Sequence, residues 1–268
     1  MASQSMETRS LYLANKPGAA LKLSTYFAGA QGNDPGSDTL VVFLNGLGLP
    51  RASWLPAIEQ FISDRRGNAR SVPSLLAYDR YGQGQSDPDP TDPTGTPYGH
   101  DALAVATDLH HIISRVKKDY LAPTPANFRL VFVCNSIGCA IARLYASEHP
   151  GSVAGFLFLD SIIANTDFVS IYPDPHSPEF DPGSLPTDVS VNDLQHAREA
   201  YRRMFHPTVP NPERFDRRFL PELLPHSDKP ELPPGPEGRT PRLVVVGHDW
   251  DEFADQTEKV TFSYSPYS

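Results

Sequence analysis

The chain has 268 residues, of which 21% are charged and 39% hydrophobic, a composition typical of a folded globular protein. It carries 23 lysines and arginines against 32 aspartates and glutamates, which gives a formal net charge of −9. This charge disfavours binding to nucleic acids and to anionic lipid surfaces. No apolar run approaches the roughly 20 residues of a transmembrane helix, and the chain opens with no signal-peptide pattern. We therefore expect a cytoplasmic protein with no membrane span and no nucleic-acid partner.

The sequence also lacks the usual patterns of cofactor and metal sites. Its two cysteines, Cys134 and Cys139, make neither a disulfide framework nor a paired metal motif, and they favour a reducing compartment. Gly82 and Gly84 follow a predicted strand, but the third glycine of a dinucleotide fingerprint is missing. We therefore expect no cofactor and no metal ion.

The first part of the chain alternates between strand and helix patterns. Two β-rich stretches at 11–14 and 21–27 flank a Lys-Pro-Gly turn and predict an opening hairpin. Continuous apolar runs predict buried strands at 39–44 and 75–78, and the apolar spacing over 54–62 predicts a helix between them.

The same alternation continues after residue 100. Apolar positions at three- and four-residue steps predict a long amphipathic helix over 100–120. Strands are predicted at 128–134 and 153–159, with a helix over 137–149 between them. Strands that alternate with helices predict an α/β fold with a parallel sheet covered on both faces.

Between residues 161 and 242 the rhythm is broken by prolines, which predicts an insertion outside the sheet. We expect two amphipathic helices in it, one over 191–205 and a second with Asn211 as N-cap and Pro212 at its first position. A last buried strand is predicted at 243–246.

A candidate nucleophile lies where a buried strand meets a helix, in the segment Cys134-Asn135-Ser136-Ile137-Gly138. A sharp turn at such a junction lifts a serine above the edge of the sheet. The start of the following helix directs backbone N–H groups and partial positive charge towards a developing oxyanion. Ser136 is thus the candidate nucleophile, and its alternative role is that of a helix N-cap.

Two further segments occur in the same order as in a known superfamily, the Asn-Gly-Leu-Gly segment at 45–48 and the Asp-Arg-Tyr-Gly-Gln-Gly-Gln-Ser segment at 79–86. With the elbow at Ser136 they make the chain resemble a lidded serine hydrolase of the α/β-hydrolase superfamily, over roughly residues 20–258. The resemblance implies a mostly parallel central sheet with an N-terminal antiparallel hairpin, helices on both faces and a helical lid insertion.

The resemblance also divides the chain into parts. It implies a first part of the core at 1–161, a proline-rich helical lid at 162–241 and a second part of the core at 242–258. The tail at 259–268 resembles no element of the family.

The resemblance implies site residues too. The oxyanion would be held by the backbone N–H groups of Ile137 and Leu47. The triad acid maps to Asp249, with Asp251 and Asp160 as alternatives. Cys134 stands where the family's G-x-S-x-G pattern has glycine, and we expect a small residue to be tolerated there.

The family's catalytic histidine has no counterpart in this pattern. A Ser…Asp…His order needs a histidine beyond the acid, whereas His248 is the last histidine of the chain. Neighbouring residues of a strand point to opposite faces, which disfavours a relay between His248 and Asp249 and favours a structural histidine. We therefore expect a chain truncated before its last strand, helix and histidine, and nearly inactive as given.

The expected reaction is hydrolysis of a carboxylic ester or related acyl compound, with a small apolar or aromatic acyl substrate. Thioesters, lactones and carbon–carbon bonds stay open. A serine rather than an aspartate at the elbow argues against epoxide hydrolysis and dehalogenation. The competing interpretation is a non-catalytic α/β-hydrolase-fold protein, an inactive remnant or a small-molecule binding module.

Overall fold

The structure of the protein is a computed structural model that describes residues 6–27, 38–121, 123–124, 127–227, 229 and 231–249. The expectations for Asp251 and for the tail at 259–268 lie outside the described residues.

One sheet forms the centre of the described structure, with the strand order β1-β2-β4-β3-β5-β6-β7. The strands are β1 (Glu7–Tyr12), β2 (Ala20–Tyr26), β3 (Thr39–Leu44), β4 (Ser74–Tyr78), β5 (Arg129–Ser136), β6 (Val153–Ser161) and β7 (Arg242–Val246). β1 pairs antiparallel with β2 and β2 with β4, whereas the pairs from β4 to β7 are parallel. The predicted opening hairpin and mostly parallel sheet are confirmed.

Helices fill the predicted positions between the strands. They are α1 (Leu55–Gly67), α2 (Ala102–Tyr120), α3 (Ile137–Glu148), α4 (Val191–Phe205) and α5 (Leu220–Leu223). α2 begins where the Asp101 side chain accepts a hydrogen bond from the Ala104 N–H at 2.8 Å, a typical N-cap. No helix among the described residues has both the length and the apolar character that crossing a bilayer requires.

The core lies on both faces of the sheet because neighbouring residues of a strand alternate between them. On one face Val42 and Leu76 pack with residues of α2 and α3. On the other face Phe43 and Leu75 pack with Ile58 of α1. Helices therefore cover both faces, and the loops at the carboxyl ends of the parallel strands are left to carry the site.

The predicted second helix of the insertion, starting at Asn211, is wrong. The Asn211 side chain instead accepts from the Phe215 N–H and donates to the Phe215 carbonyl, at 3.1 and 2.8 Å. Arg214 has a φ of 58°, which no helix tolerates, and Glu213 beside it is only 2% exposed. A buried ion pair of Glu213 overrides the local helix signal, and helix forms only at α5.

The last strand occurs as predicted, but its predicted burial is wrong. The residues of β7 from Leu243 to Val246 are 44–59% exposed. β7 stands at the end of the described strand order, paired with β6 along one side. An apolar run indicates a strand, but it does not report whether a neighbour covers that strand.

Candidate active site

The turn at Ser136 joins the end of β5 to the start of α3. Ser136 has φ 51° and ψ −119°, a conformation that residues other than glycine rarely adopt. Two positions later, a Cβ on Gly138 would lie 2.5 Å from the Leu44 carbonyl oxygen, so the close approach of α3 to β3 requires glycine. The serine is thus held at the tip of a strained strand-to-helix turn, at the carboxyl edge of the sheet.

The loop after β3 packs against this turn. A Cβ on Gly46 would lie 2.7 Å from Asn135 Oδ1 and 3.6 Å from Ser136 Cβ. Gly46 itself is buried, and Leu47 is half-buried. The structure therefore brings the backbone around Leu47 next to Ser136 and to the start of α3. The Ile137 N–H at that start has no partner within the helix.

Cys134 lies beneath the turn, on β5, and is fully buried, as is Cys139 on α3. Burial raises the pKa of the Cys134 thiol well above its ordinary value, and the neighbouring Cys139 raises it further. A neutral, buried thiol at this position acts as a small core residue, so the departure from glycine at Cys134 is accommodated by packing.

A buried cluster of charged and polar side chains holds the loop at 45–48. Glu213 accepts from Arg80 Nε at 2.9 Å and from Arg80 Nη2 at 3.1 Å. Arg80 Nη1 also donates to the Asn45 carbonyl at 2.8 Å, and its Nη2 donates to the Gly46 carbonyl at 2.9 Å. Arg80 therefore links the loop after β3 to Glu213 of the insertion.

Gln83 completes this cluster. Its Nε2 donates to Glu213 at 2.9 Å and to the Gly46 carbonyl at 3.1 Å, and its Oε1 accepts from the Asn45 side chain at 3.0 Å. Sequence reasoning noted Arg80 and Gln83 only as parts of a motif and did not single out Glu213. The sequence marked Glu213 only as an acidic residue near the start of the helix predicted from Asn211.

The candidate acids are placed differently from one another. Asp160 lies near the end of β6 with φ 49°, and its Oδ1 is 2.6 Å from His248 Nδ1, just past the end of β7. The next residue, Ser161, is the Cα partner of Ser136 across the sheet. Asp249 follows His248 along the chain. The described structure thus gives Asp160 a contact with a histidine.

Sequence reasoning considered only Asp249 as a partner for His248 and therefore missed this contact. The available signal was positional, because Asp160 and His248 each follow a predicted parallel strand. Carboxyl ends of neighbouring parallel strands meet at one edge of the sheet. The adjacency of β6 and β7, however, becomes known only from the strand order.

The group of described residues with converging metal-ligand atoms is Asp89, Asp92 and His100. The Lys16 ammonium already lies 2.5 Å from Asp89 and 2.6 Å from Asp108. Burial lowers the pKa of Lys16, but the hydrogen bonds to both carboxylates outweigh it and raise the pKa above its ordinary value. The lysine thus pairs with Asp89, and Asp92 lies 3.1 Å from His100 Nδ1, so the group is an internal cluster of mutually paired side chains.

A cavity of about 1110 Å³ lies away from Ser136. It is lined by residues at the beginnings of three parallel strands, among them Arg129, Gly155 and Arg242. Ser136 lies at the carboxyl ends of the same strands, so this cavity does not belong to the candidate site.

Comparison with known proteins gives one family. The model of the Alpha/beta hydrolase family matches residues 41–263. An epoxide hydrolase from Mycobacterium thermoresistibile aligns at 15% identity and TM-score 0.48, over 97% of this chain and 98% of that one. An epoxide hydrolase from Vigna radiata aligns at 12% identity and TM-score 0.49, over 98% and 99% of the two chains.

A putative lipase from Acinetobacter baumannii aligns at 12% identity and TM-score 0.49, over 97% of this chain and 91% of that one. No curated protein sequence gives a significant match to the chain.

Proposed function

Because the chain belongs to the alpha/beta hydrolase family, we propose that it is a serine hydrolase of carboxylic esters or related acyl compounds. The observation that carries the proposal is the strained turn at Ser136, against which Gly46 packs. A hydroxyl nucleophile and two backbone N–H groups around one point are what acyl transfer needs. Because Ser136 is not a carboxylate, we expect no epoxide hydrolysis.

In this reaction Ser136 Oγ attacks the carbonyl carbon of the ester and loses its proton. The carbonyl oxygen becomes an oxyanion that accepts hydrogen bonds from the Ile137 and Leu47 N–H groups, each donor contributing roughly 2.7–4 kcal/mol. Collapse of the tetrahedral intermediate releases the alcohol, which takes up the proton, and leaves an acyl ester on Ser136. Water then attacks the acyl ester and loses a proton, and collapse of the second tetrahedral intermediate returns a proton to Ser136 Oγ and releases the acid.

The Ser136 proton needs an acceptor, and two assignments are open to experiment. The family's layout places the base in a histidine beyond Asp249 or Asp251. The contact of His248 with Asp160 supports a base within the chain. A carboxylate only accepts hydrogen bonds, so Nδ1 of His248 carries the proton and Nε2 is the basic nitrogen.

We expect a small acyl group that is apolar or aromatic. The insertion carries an aromatic cluster in which the Tyr201 ring lies 5.0 Å from that of Tyr172 and 5.2 Å from that of Phe205. Phe205 is 40% exposed, so the cluster presents an apolar surface as well as packing the insertion. The expectation rests on this apolar surface together with the lid role that the resemblance implies for the insertion.

Labelling with a fluorophosphonate probe tests the proposed function. We expect the chain to be labelled and Ser136→Ala to lose all labelling. Ser161→Ala is the matched control, because Ser161 is exposed and pairs with Ser136 across the sheet, and it should label as the parent does. A folded chain without Ser136-dependent labelling would instead favour the non-catalytic interpretation.

A further inference from the structure

The peptide unit between Gly46 and Leu47 is held by its carbonyl oxygen. Arg80 Nη2 and Gln83 Nε2 both donate to the Gly46 oxygen, at 2.9 and 3.1 Å. A trans peptide unit is planar, and its C=O and N–H point in opposite directions. These two donors, together with the Leu49 N–H at 3.4 Å, therefore fix the direction of the Leu47 N–H as well.

One carboxylate holds both of these donors. Glu213 Oε1 accepts from Arg80 Nη2 at 3.1 Å and from Gln83 Nε2 at 2.9 Å, and Oε2 accepts from Arg80 Nε at 2.9 Å. Oε1 also accepts from the Gly48 N–H at 2.5 Å. The backbone on both sides of Leu47 is thus tied to Glu213.

Burial makes this arrangement stiff. Glu213, Arg80 and Gln83 are each only 2–3% exposed. In an interior of low dielectric, charge-assisted hydrogen bonds are strong, and an unpaired partner would be costly. Few alternative rotamers are therefore open to these side chains.

Glu213 belongs to the insertion at 162–241, 165 positions along the chain from Gly48. Its segment docks on the body through the Gly99 N–H to Arg214 carbonyl bond of 2.6 Å. Gly82 allows its backbone to come close, since a Cβ there would lie 3.0 Å from the Glu213 carbonyl oxygen. The direction of the Leu47 N–H thus depends on a residue that the insertion supplies.

We propose that Glu213, acting through Arg80 and Gln83, is a positioning residue that aims the Leu47 N–H at the oxyanion. The insertion is thereby coupled to stabilisation of the transition state. This inference rests on the proposed function. The oxyanion forms only as the transition state is approached. A misdirected Leu47 N–H therefore lowers kcat and leaves KM nearly unchanged.

The test is Glu213→Gln in the full chain, assayed with an aryl ester. Glutamine keeps the shape of the side chain but places an amide where Arg80 needs a carboxylate. We expect kcat to fall about 10- to 100-fold, which is at most the lower end of the fall caused by removing a whole oxyanion donor. KM should stay within about twofold of the parent. The affinity for a trifluoromethyl ketone, whose adduct carries the oxyanion, should fall with kcat.

Arg214→Gln is the matched control. Arg214 Nη2 anchors the same segment to the Thr96 carbonyl at 2.8 Å, but its side chain makes no described contact with the loop at 45–48. Its kcat should stay within about threefold of the parent. An equal loss of kcat in both variants would show that only docking of the segment matters, and it would overturn the proposal.

A second variant decides the matter if Glu213→Gln does not fold. Gln83→Met removes one donor to the Gly46 oxygen without unpairing a charge, and it should show the same loss in kcat alone. A folded Gln83→Met or Glu213→Gln with the kcat of the parent overturns the positioning role. If the parent itself is neither labelled nor active, the proposed function fails instead.

Discussion

At the scale of single residues, strain marks the ends of two neighbouring strands. Ser136 at the end of β5 and Asp160 near the end of β6 have φ values of 51° and 49°. Such conformations cost about 1–3 kcal/mol each and persist only where the surroundings enforce them. Both residues lie at one edge of the sheet, and Asp160 contacts His248, which is the residue-level argument for a base within the chain.

Replacing His248 by glutamine should slow fluorophosphonate labelling of Ser136 about 10²- to 10⁴-fold, because general-base catalysis contributes about this factor. Asp160→Asn should slow it too, since the amide no longer fixes the Nδ1 proton. His196→Gln on the exposed face of α4 is the control and should label normally. Labelling of His248→Gln at the rate of the parent would contradict a base at His248.

At the scale of elements, the approach of the insertion to the loop after β4 depends on a glycine. Gly82 has φ 74°, and the Glu213 backbone lies close to where its Cβ would be. Gly82 is therefore not part of a dinucleotide fingerprint, as the sequence indicated, and its role is structural. It lets a segment of the insertion reach Arg80.

Gly82→Ala should lower stability by about 1–3 kcal/mol and lower kcat in the manner of Glu213→Gln, because it strains the backbone and displaces Glu213. Gly95→Ala is its matched control, with a similar φ of 77° and no atom within 4 Å of the added Cβ. Thermal melting and ester hydrolysis measure the two effects. Equal kcat values in the two alanine variants would show that the contact between Gly82 and the Glu213 backbone does not affect catalysis.

At the scale of the whole molecule, a buried lysine ties distant parts together. Lys16 lies between β1 and β2 and binds Asp89 and Asp108, the latter on α2. Burial alone raises the pKa of Asp89, but the hydrogen bonds with Lys16 and Thr91 and the charge of Lys16 together outweigh this and hold the pKa below its usual value of 3.8. The contribution of Asp89 to stability is therefore present above that value and is lost as the pH falls through the folded-state pKa.

Lys16→Met should cost about 3–5 kcal/mol at pH 7, because it leaves two buried carboxylates without a cation. Burial already raises the pKa of Asp108 in the parent, and removal of the lysine raises it further. A raised carboxyl pKa destabilises the fold as the pH rises, so the deficit should shrink between pH 7 and pH 5.

Denaturant unfolding at the two pH values measures this deficit. Arg115→Met, which removes the exposed pair with Asp119, serves as control and should cost no more than about 1 kcal/mol at either pH. A Lys16→Met deficit that stays constant or grows towards pH 5 would contradict the expected protonation of the carboxyls.

The amino-acid sequence by itself determined the sheet strands, the helices between them and the turn at Ser136. These follow from local apolar periodicity and from turn residues such as the Lys-Pro-Gly of the opening hairpin, patterns that lie within a few neighbouring positions. The helix over Val191–Phe205 was likewise readable from its own apolar spacing.

Only the tertiary structure decided which distant residues meet. The buried pair of Arg80 and Glu213 joins positions 133 apart, and it broke a helix that the local pattern around Asn211 favours. The contact of His248 with Asp160, 88 positions apart, follows from the adjacency of β6 and β7. Strand order and buried ion pairs depend on long-range packing, whose energy exceeds local propensities and leaves no local pattern in the chain.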